Sequence, residues 1–290
     1  MDAIFYMLVY GGIYGMIGMS FNVLYRPTNV FNFAQGSVIV IGSLLASTLL
    51  ATQVPWLVAL LGGTLAGGVL AVAIDFVGVQ PILKRDSASQ SWLITTLAVS
   101  LAADDLMGKI WGGEARQVRY PYPFSASYVV RVGDTGLSNY SFVLIVVPFL
   151  VLAALWLGYR TRMGRAVRAV AEERQGAVLR GIDPVVLTRW SWFLGGALAS
   201  FVGVLAAPLL FASVTLGPTL LVSGFMAVAI GGVGNNTGAL IGGYLVALIE
   251  GLAALRISSY LASLATFAVL LVVLLIRPSG LFSEQQARRV

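Results

Sequence analysis

The run SFVLIVVPFLVLAALWLGY, residues 141–159, contains no charged side chain and places its polar groups almost entirely at its two ends. A stretch of about 20 apolar residues matches the hydrocarbon thickness of a bilayer when wound as an α-helix. In lipid, every backbone N–H and C=O must be satisfied internally, so an apolar run of this kind has helix or closed barrel as its only spanning conformations. With its flanks this run makes the candidate segment 140–160, and comparable ones occur at 4–25, 31–51, 57–80, 91–112, 190–212, 219–233, 238–255 and 259–276. They are continuous rather than alternating, which argues against a barrel.

The chain as a whole agrees. Of its 290 residues 58% are hydrophobic and 10% are charged, and the mean hydropathy is +0.90. A soluble domain carries about 25% charged residues. The 33 glycines suit helices that approach one another closely in lipid. The expected fold is therefore all-α: a polytopic transmembrane helical bundle of about 8–9 membrane segments, broken or re-entrant helices included, forming one domain over 1–290. Histidine and cysteine are both absent. That removes disulfides, thiolate and imidazole metal sites, and His-dependent catalytic triads. No cofactor, metal or catalytic residue is expected. The opening MDAIFYMLVYGG lacks the positive region of a signal peptide, so the first span is expected to be retained.

Breaks fall where proline, glycine and charge cluster: YRPTN, QVPW, QPILKRDSASQS, GPT, GNNTG and RISS. Residues 160–189 hold seven arginines against three acids, which places them in the cytoplasm by the positive-inside rule. Arg26, the turn with Lys84 and Arg85, and the tail RPSGLFSEQQARRV fall on the same side if the N-terminus lies outside. Residues 113–139 then lie outside as well, and their Tyr-Pro content suggests an ordered interfacial cap. The net charge of +6 thus reports topology rather than nucleic-acid binding.

Segment 219–233 is short for a span and is bracketed by GP and GNNTG. Short Gly/Pro-interrupted segments in transporters often lie at the transport path. A tilted short helix with an ordinary turn explains the same residues. FNFAQGSVIVIGSLLAS and GNNTGALIGGYLVALIE echo each other: Asn, then Gly, then a helix with a further glycine. The echo suggests a parallel repeat. Asn32, Gln35, Asn235, Asn236 and Thr237 are the candidate pathway-lining residues, being uncharged hydrogen-bonding groups; the alternative role for each is a buried helix cap.

The most anomalous piece is GRAVRAVAEERQGAVLRGID, Gly164 to Asp183, which is basic between two apolar spans. Ala, Arg, Glu and Gln favour helix from Gly164 to Arg180, Gly181 supplies a C-terminal stop, and Pro184 follows. Val167, Val170, Ala171 and Val178 fall near one face. An amphipathic helix of this kind either lies on anionic headgroups or docks in a groove on a partner protein.

MGRAVRAVAEERQGAVLRGIDPVVLTRWSWFLGGALASFVGVLAAP resembles the coupling loop and following helix of branched-chain amino acid ABC importer permeases. NVFNFAQGSVIVIGSLLAS and AVAIGGVGNNTGALIGGYLVALIE resemble that family's second-helix and C-terminal signatures, and WGGEARQVRYP fits its extracytoplasmic loop. The motifs keep their order over nearly the whole chain, and its length suits the smaller, H-type subunit. The resemblance implies that Gly164, Arg165, Arg168, Ala171, Glu172, Gly181 and Ile182 form a coupling helix seated on a separate ATPase. It also implies two ATPase subunits, an extracytoplasmic substrate-binding protein, a larger homologous permease or a second copy, and a substrate among leucine, isoleucine, valine and related amino acids. Urea and short amides are the alternative cargo. Ser37 stands where the family usually has an acid, and NNTG replaces a turn with proline.

The chain cannot bind ATP through a P-loop. Its only lysines are Lys84 and Lys109; Ile110 follows Lys109, and Ala103 stands where the first glycine belongs. A gradient-driven carrier would need ionisable relays inside the membrane, at about 2.5–3.5 kcal/mol each. The candidates are Asp75, Asp104, Asp105, Lys109 and Glu250. Asp105 and Lys109 are spaced to neutralise each other. Glu250 is the deepest, with structural support and gating as its two readings. A plain channel leaves the arginine-rich loop unexplained, and no nucleophile–base pair points to an enzyme.

Overall fold

The computed structural model describes residues 3–85, 91–132, 135–256, 262–277 and 280–282. Twelve α-helices are described: α1 Ala3–Thr28, α2 Gln35–Ala51, α3 Trp56–Ile74, α4 Gln80–Arg85, α5 Ser91–Trp111, α6 Ser141–Arg160, α7 Arg162–Glu172, α8 Arg174–Leu179, α9 Pro184–Leu210, α10 Leu216–Gly231, α11 Asn236–Arg256 and α12 Ala262–Ile276. Five helical stretches are long and apolar enough to cross a bilayer: Ala3–Thr28, Trp56–Ile82, Ser141–Arg160, Pro184–Leu210 and Asn236–Arg256. Shorter apolar helices cover Gln35–Ala51, Leu216–Gly231 and Leu264–Ile276. Each apolar run read from the sequence therefore contains a helix. Residues 257–261, the tail beyond 282, and the side chains of Lys84 and Arg85 lie outside the described residues.

The chain divides into two compact units. One comprises Val23–Pro121 and Ala154–Leu221. Its centre is α2, α3 and α9, which meet through small residues. A Cβ at Gly67 would collide with Ser200, one at Gly196 with Ala71 and the Gly67 carbonyl, and one at Gly42 with Ser200. The Ser200 hydroxyl donates to the Gly63 carbonyl at 2.8 Å. Gly63, Gly67 and Ala71 recur every fourth residue and so form one stripe along α3, which lets the backbones approach and gain dispersion contacts. Around this centre Val40, Leu44, Met107, Val118, Ala207 and Ala212 form an apolar cluster.

Between α3 and α4 lies a π turn, Asp75–Val79, in which the Gln80 N–H reaches the Asp75 carbonyl. The cause is Pro81, which has no N–H to give the Val77 carbonyl and whose ring would strike it. A wider turn just upstream removes both problems and keeps the helix continuous. Asp75 is buried here and accepts a 2.6 Å hydrogen bond from the Gln80 amide.

The other unit comprises Met1–Asn22, Tyr122–Ala153 and Val222–Val290. Glycines again carry its contacts. Gly11 and Gly15 of α1 lie against Tyr244 and Leu240 of α11, Gly12 against Leu144 and Pro148 of α6, and Gly242 of α11 against Ala227 of α10. A two-stranded antiparallel hairpin, β1 Tyr128–Val132 and β2 Thr135–Ser138, pairs Tyr128 with Ser138 and Val130 with Leu137. It lies within the segment read as an ordered cap, to which the sequence reading assigned no strand.

Candidate functional site

The basic loop is ordered helix, but not one helix. It contains α7 and α8, separated at Glu173, whose backbone is extended (φ −152°, ψ 106°). This corrects the single helix expected over Gly164 to Arg180. The break shifts the register of the buried face. Val167 and Val170 remain inside as expected, but Ala177 takes the next buried position, with Leu187 of α9 completing the cluster and Tyr159, Ala166, Ala169 and Ile182 packed on it. Val178, expected on that face, is instead 54% exposed, and Leu179 is 89% exposed.

Both ends of the loop are secured by local chemistry. Thr161 caps α7 by accepting the Gly164 N–H at 3.2 Å. Gly164 lies so close to Gly158 and Tyr159 that any Cβ would strike their backbone. The Arg165 guanidinium donates to the Arg160 carbonyl at 2.8 Å, and Arg168 donates to the Tyr159 carbonyl at 2.9 Å. These are orphan carbonyls at the C-terminus of α6, where cationic donors are favoured. Gly181 has φ +76°, the left-handed geometry of a helix stop. Asp183 then caps α9, accepting from Val185 N–H at 2.8 Å ahead of Pro184 at the first helical turn. Of the residues singled out in the loop, Glu172 is exposed, Ala171 and Ile182 are half-buried, and Gly164, Arg165 and Arg168 anchor the loop on α6.

The two polar turns lie in different units, and each turns on an asparagine side chain. In the first, Asn32 Oδ1 accepts the Ala34 N–H at 3.0 Å, and its amide donates to Gln35 Oε1 at 3.0 Å. Gln35 donates to the Gly195 carbonyl at 3.1 Å. Asn32 and Gln35 are wholly buried. In the second, Asn235 Oδ1 accepts the Gly238 N–H at 2.9 Å, and the Asn235 amide donates to the Phe282 carbonyl at 2.8 Å. Thr237 is exposed and Asn236 is buried, with its Oδ1 lacking a partner. The second echo sequence places an asparagine oxygen on a first-turn N–H of α11, whereas in the first the Asn32 oxygen takes the N–H of Ala34, the residue before α2, which has no side-chain cap. Asn22 was missed by the sequence reading: fully buried, it accepts the Gly234 N–H at 2.7 Å and leaves its own Nδ2 unpaired.

The charged groups of the apolar helices fall into different environments. Lys109 and Asp105 form an exposed ion pair at 2.7 Å. Asp104 accepts the Ser37 hydroxyl at 2.7 Å, and Ser37 also meets the Ser100 hydroxyl at 2.8 Å. Glu250 is 7% exposed and accepts hydroxyl protons from Tyr14 at 2.8 Å and Tyr6 at 3.2 Å.

Apolar helices packed through glycine, polar caps inside them and one amphipathic loop beyond them define a multi-pass helical membrane protein. Residues 3–276 match the family described as the permease component of the branched-chain amino acid transport system, and the chain belongs to that family. It is 30% identical to the probable branched-chain amino acid transport permease protein LivH of Methanocaldococcus jannaschii, over 94% of this chain and 90% of that one. It is 27% identical to the high-affinity permease protein LivH of Salmonella typhimurium, with 97% and 94% covered, and 27% identical to BraD of Pseudomonas aeruginosa, with 98% and 95% covered. Among solved structures, PsaBC from Streptococcus pneumoniae in complex with Fab aligns with a TM-score of 0.53 at 11% identity, covering 96% of this chain and 91% of that one. That last likeness concerns the fold.

Proposed function

We propose that this chain is the transmembrane permease subunit of an ABC importer for branched-chain or related amino acids, driven by separate ATPase subunits that dock on α7–α8. Family membership supports the transport role. The observation that carries the docking reading is Leu179, 89% exposed beside Val178 on a rigidly anchored loop rimmed by Arg174 and Arg180. A large apolar side chain held outside the spans, with cations around it, is the pattern of a helix that seats in a partner's groove. The missing P-loop agrees with energy supplied in trans. In this reading the loop and the Arg26 end of α1 face the cytoplasm, residues 113–139 meet a substrate-loaded binding protein outside, and a homologous permease or second copy completes the translocator. Asn32, Gln35, Asn235, Asn236 and Thr237 shape the polar turns that accompany passage of a zwitterion.

The test is co-purification of the tagged chain in mild detergent from cells expressing the whole transport operon. Wild type is expected to retain an ATPase, and Leu179→Asp to lose it without losing yield. Recovery of the chain without any ATPase from wild type, with bound anionic lipid instead, returns the loop to a headgroup-binding role.

A further inference from the structure

Glu250 sits six positions before the end of α11. Its carboxylate accepts hydrogen bonds from Tyr14 and Tyr6 of α1, and Ser223 of α10 stands beside it. The two phenol oxygens lie 3.2 Å apart. Tyr6 stacks on Tyr10 with ring centroids 4.1 Å apart and an interplanar angle of 12°, and Tyr10 stands 6.1 Å from Tyr14. Tyr14 and Ser223 are each 4% exposed, whereas Tyr6 and Tyr10 are half-buried and form the open side. Among the described residues, the only ion pair is Lys109 with Asp105, so no basic side chain answers Glu250.

Each hydroxyl has one proton and two lone pairs. Here the protons of Tyr14 and Tyr6 are directed at the carboxylate, which leaves outward lone pairs on the phenol oxygens beside it. A visitor therefore meets hydrogen-bond acceptors, the carboxyl group of Glu250 and the faces of two stacked phenols. That surface suits a compact cation with several N–H donors, and the aromatic faces favour it further. A divalent metal fits poorly, because hard cations take several carboxylate or carbonyl oxygens and this cluster has one carboxylate. No group of three or more His, Cys, Asp or Glu gathers among the described residues.

We propose that Glu250, Tyr6, Tyr14 and Ser223 form a binding site for a primary ammonium group, with Tyr10 stacking at its mouth. Resting on the amino-acid transport reading above, the ammonium is that of the substrate. A branched aliphatic chain alone gives a permease nothing polar to recognise, so a site for the amino end separates an amino acid from a fatty or keto acid of the same skeleton.

The experiment uses the full chain in nanodiscs with its 11 tyrosines labelled by carbon-13 at Cζ. Isopentylammonium chloride is titrated in, with sodium chloride at equal concentration as the reference. Tyr6→Phe and Tyr14→Phe assign the two resonances. Saturable shifts of both resonances in wild type, with at least a tenfold weaker midpoint in Glu250→Gln, support the site. No saturable shift, an equal response to sodium, or an unchanged midpoint in Glu250→Gln overturns it. Should Glu250→Gln fail to fold, wild type decides through L-leucine against 4-methylpentanoate: shifts with leucine alone support the site, and equal shifts with both overturn it. Failure of the amino-acid reading looks different: isopentylammonium binds and is lost in Glu250→Gln, while the assembled transporter moves no leucine.

Discussion

The Ser200 hydroxyl of α9 donates to the Gly63 carbonyl of α3 at 2.8 Å, and a Cβ placed at Gly67, one turn further along α3, would collide with Ser200 itself. The two residues at Gly63 and Gly67 thus do different work on one stripe: the first accepts a bond, the second makes room for its donor.

Replacing Gly67 with leucine should therefore be far worse than removing the bond. Forced overpacking costs about 1–3 kcal/mol or more in a well-packed core, whereas interhelical hydrogen bonds in membranes average ~0.6 kcal/mol. Thermal unfolding in detergent should show Ser200→Ala close to wild type and Gly67→Leu either much less stable or absent from the membrane fraction. Equal behaviour of the two variants contradicts the packing account.

Gly181 and Gly158 make a matched pair. Neither would bring a Cβ within 4 Å of anything, but Gly181 has φ +76° and Gly158 lies inside α6. Gly181→Ala should destabilise by about 1 kcal/mol through the left-handed backbone. Gly158→Ala should stabilise by roughly 0.5–1 kcal/mol as an ordinary helix substitution. Denaturant midpoints of the two variants, moving in opposite directions, are the check.

Asn235 both caps α11 through Gly238 N–H and holds the Phe282 carbonyl. Asn235→Ala should cost about 1 kcal/mol from the cap alone. Amide hydrogen exchange should quicken at Gly238 and leave α9 unchanged; uniform quickening would show that the cap is not the local cause.

Arg168 and Arg165 bind the carbonyls of Tyr159 and Arg160. Arg168→Met keeps the aliphatic stem and removes the donors. Limited trypsin digestion at Arg162 and Arg174 should then become several-fold faster, while the folded helical content by circular dichroism stays constant. Unchanged cleavage would mean that the apolar cluster of Val167, Val170, Ala177 and Leu187 holds the loop unaided.

The helices were legible in the sequence because lipid leaves an apolar run no other way to satisfy its backbone, and Gly181 and Pro184 marked the end of the loop as local rules dictate, while the Asp183 cap went unread. What stayed hidden depended on partners distant in the chain. Nothing near Glu173 announces that the helix stops there; Leu187, beyond the loop, fixes which residues turn inward, and so Ala177 replaces Val178. Pro81 was read only as part of a break, so neither the π turn nor the burial of Asp75 was foreseen. The carboxylate that Ser37 meets comes from Asp104, 67 positions away. Asn22 and Ser223 read as ordinary residues of apolar helices until Gly234 and Glu250 came beside them. The pairing of Asp105 with Lys109, by contrast, is a one-turn relationship and was visible at once.

The two clamps on the α7–α8 loop have a mechanical meaning. One end is bound to the last carbonyls of α6, and the other runs through Asp183 into the first turn of α9, with Leu187 gripped by the same apolar cluster. A slack connector would absorb a load applied at Leu179 as bending. This one is fixed at both ends, and its apolar cluster ties it through Leu187 to the first turn of α9.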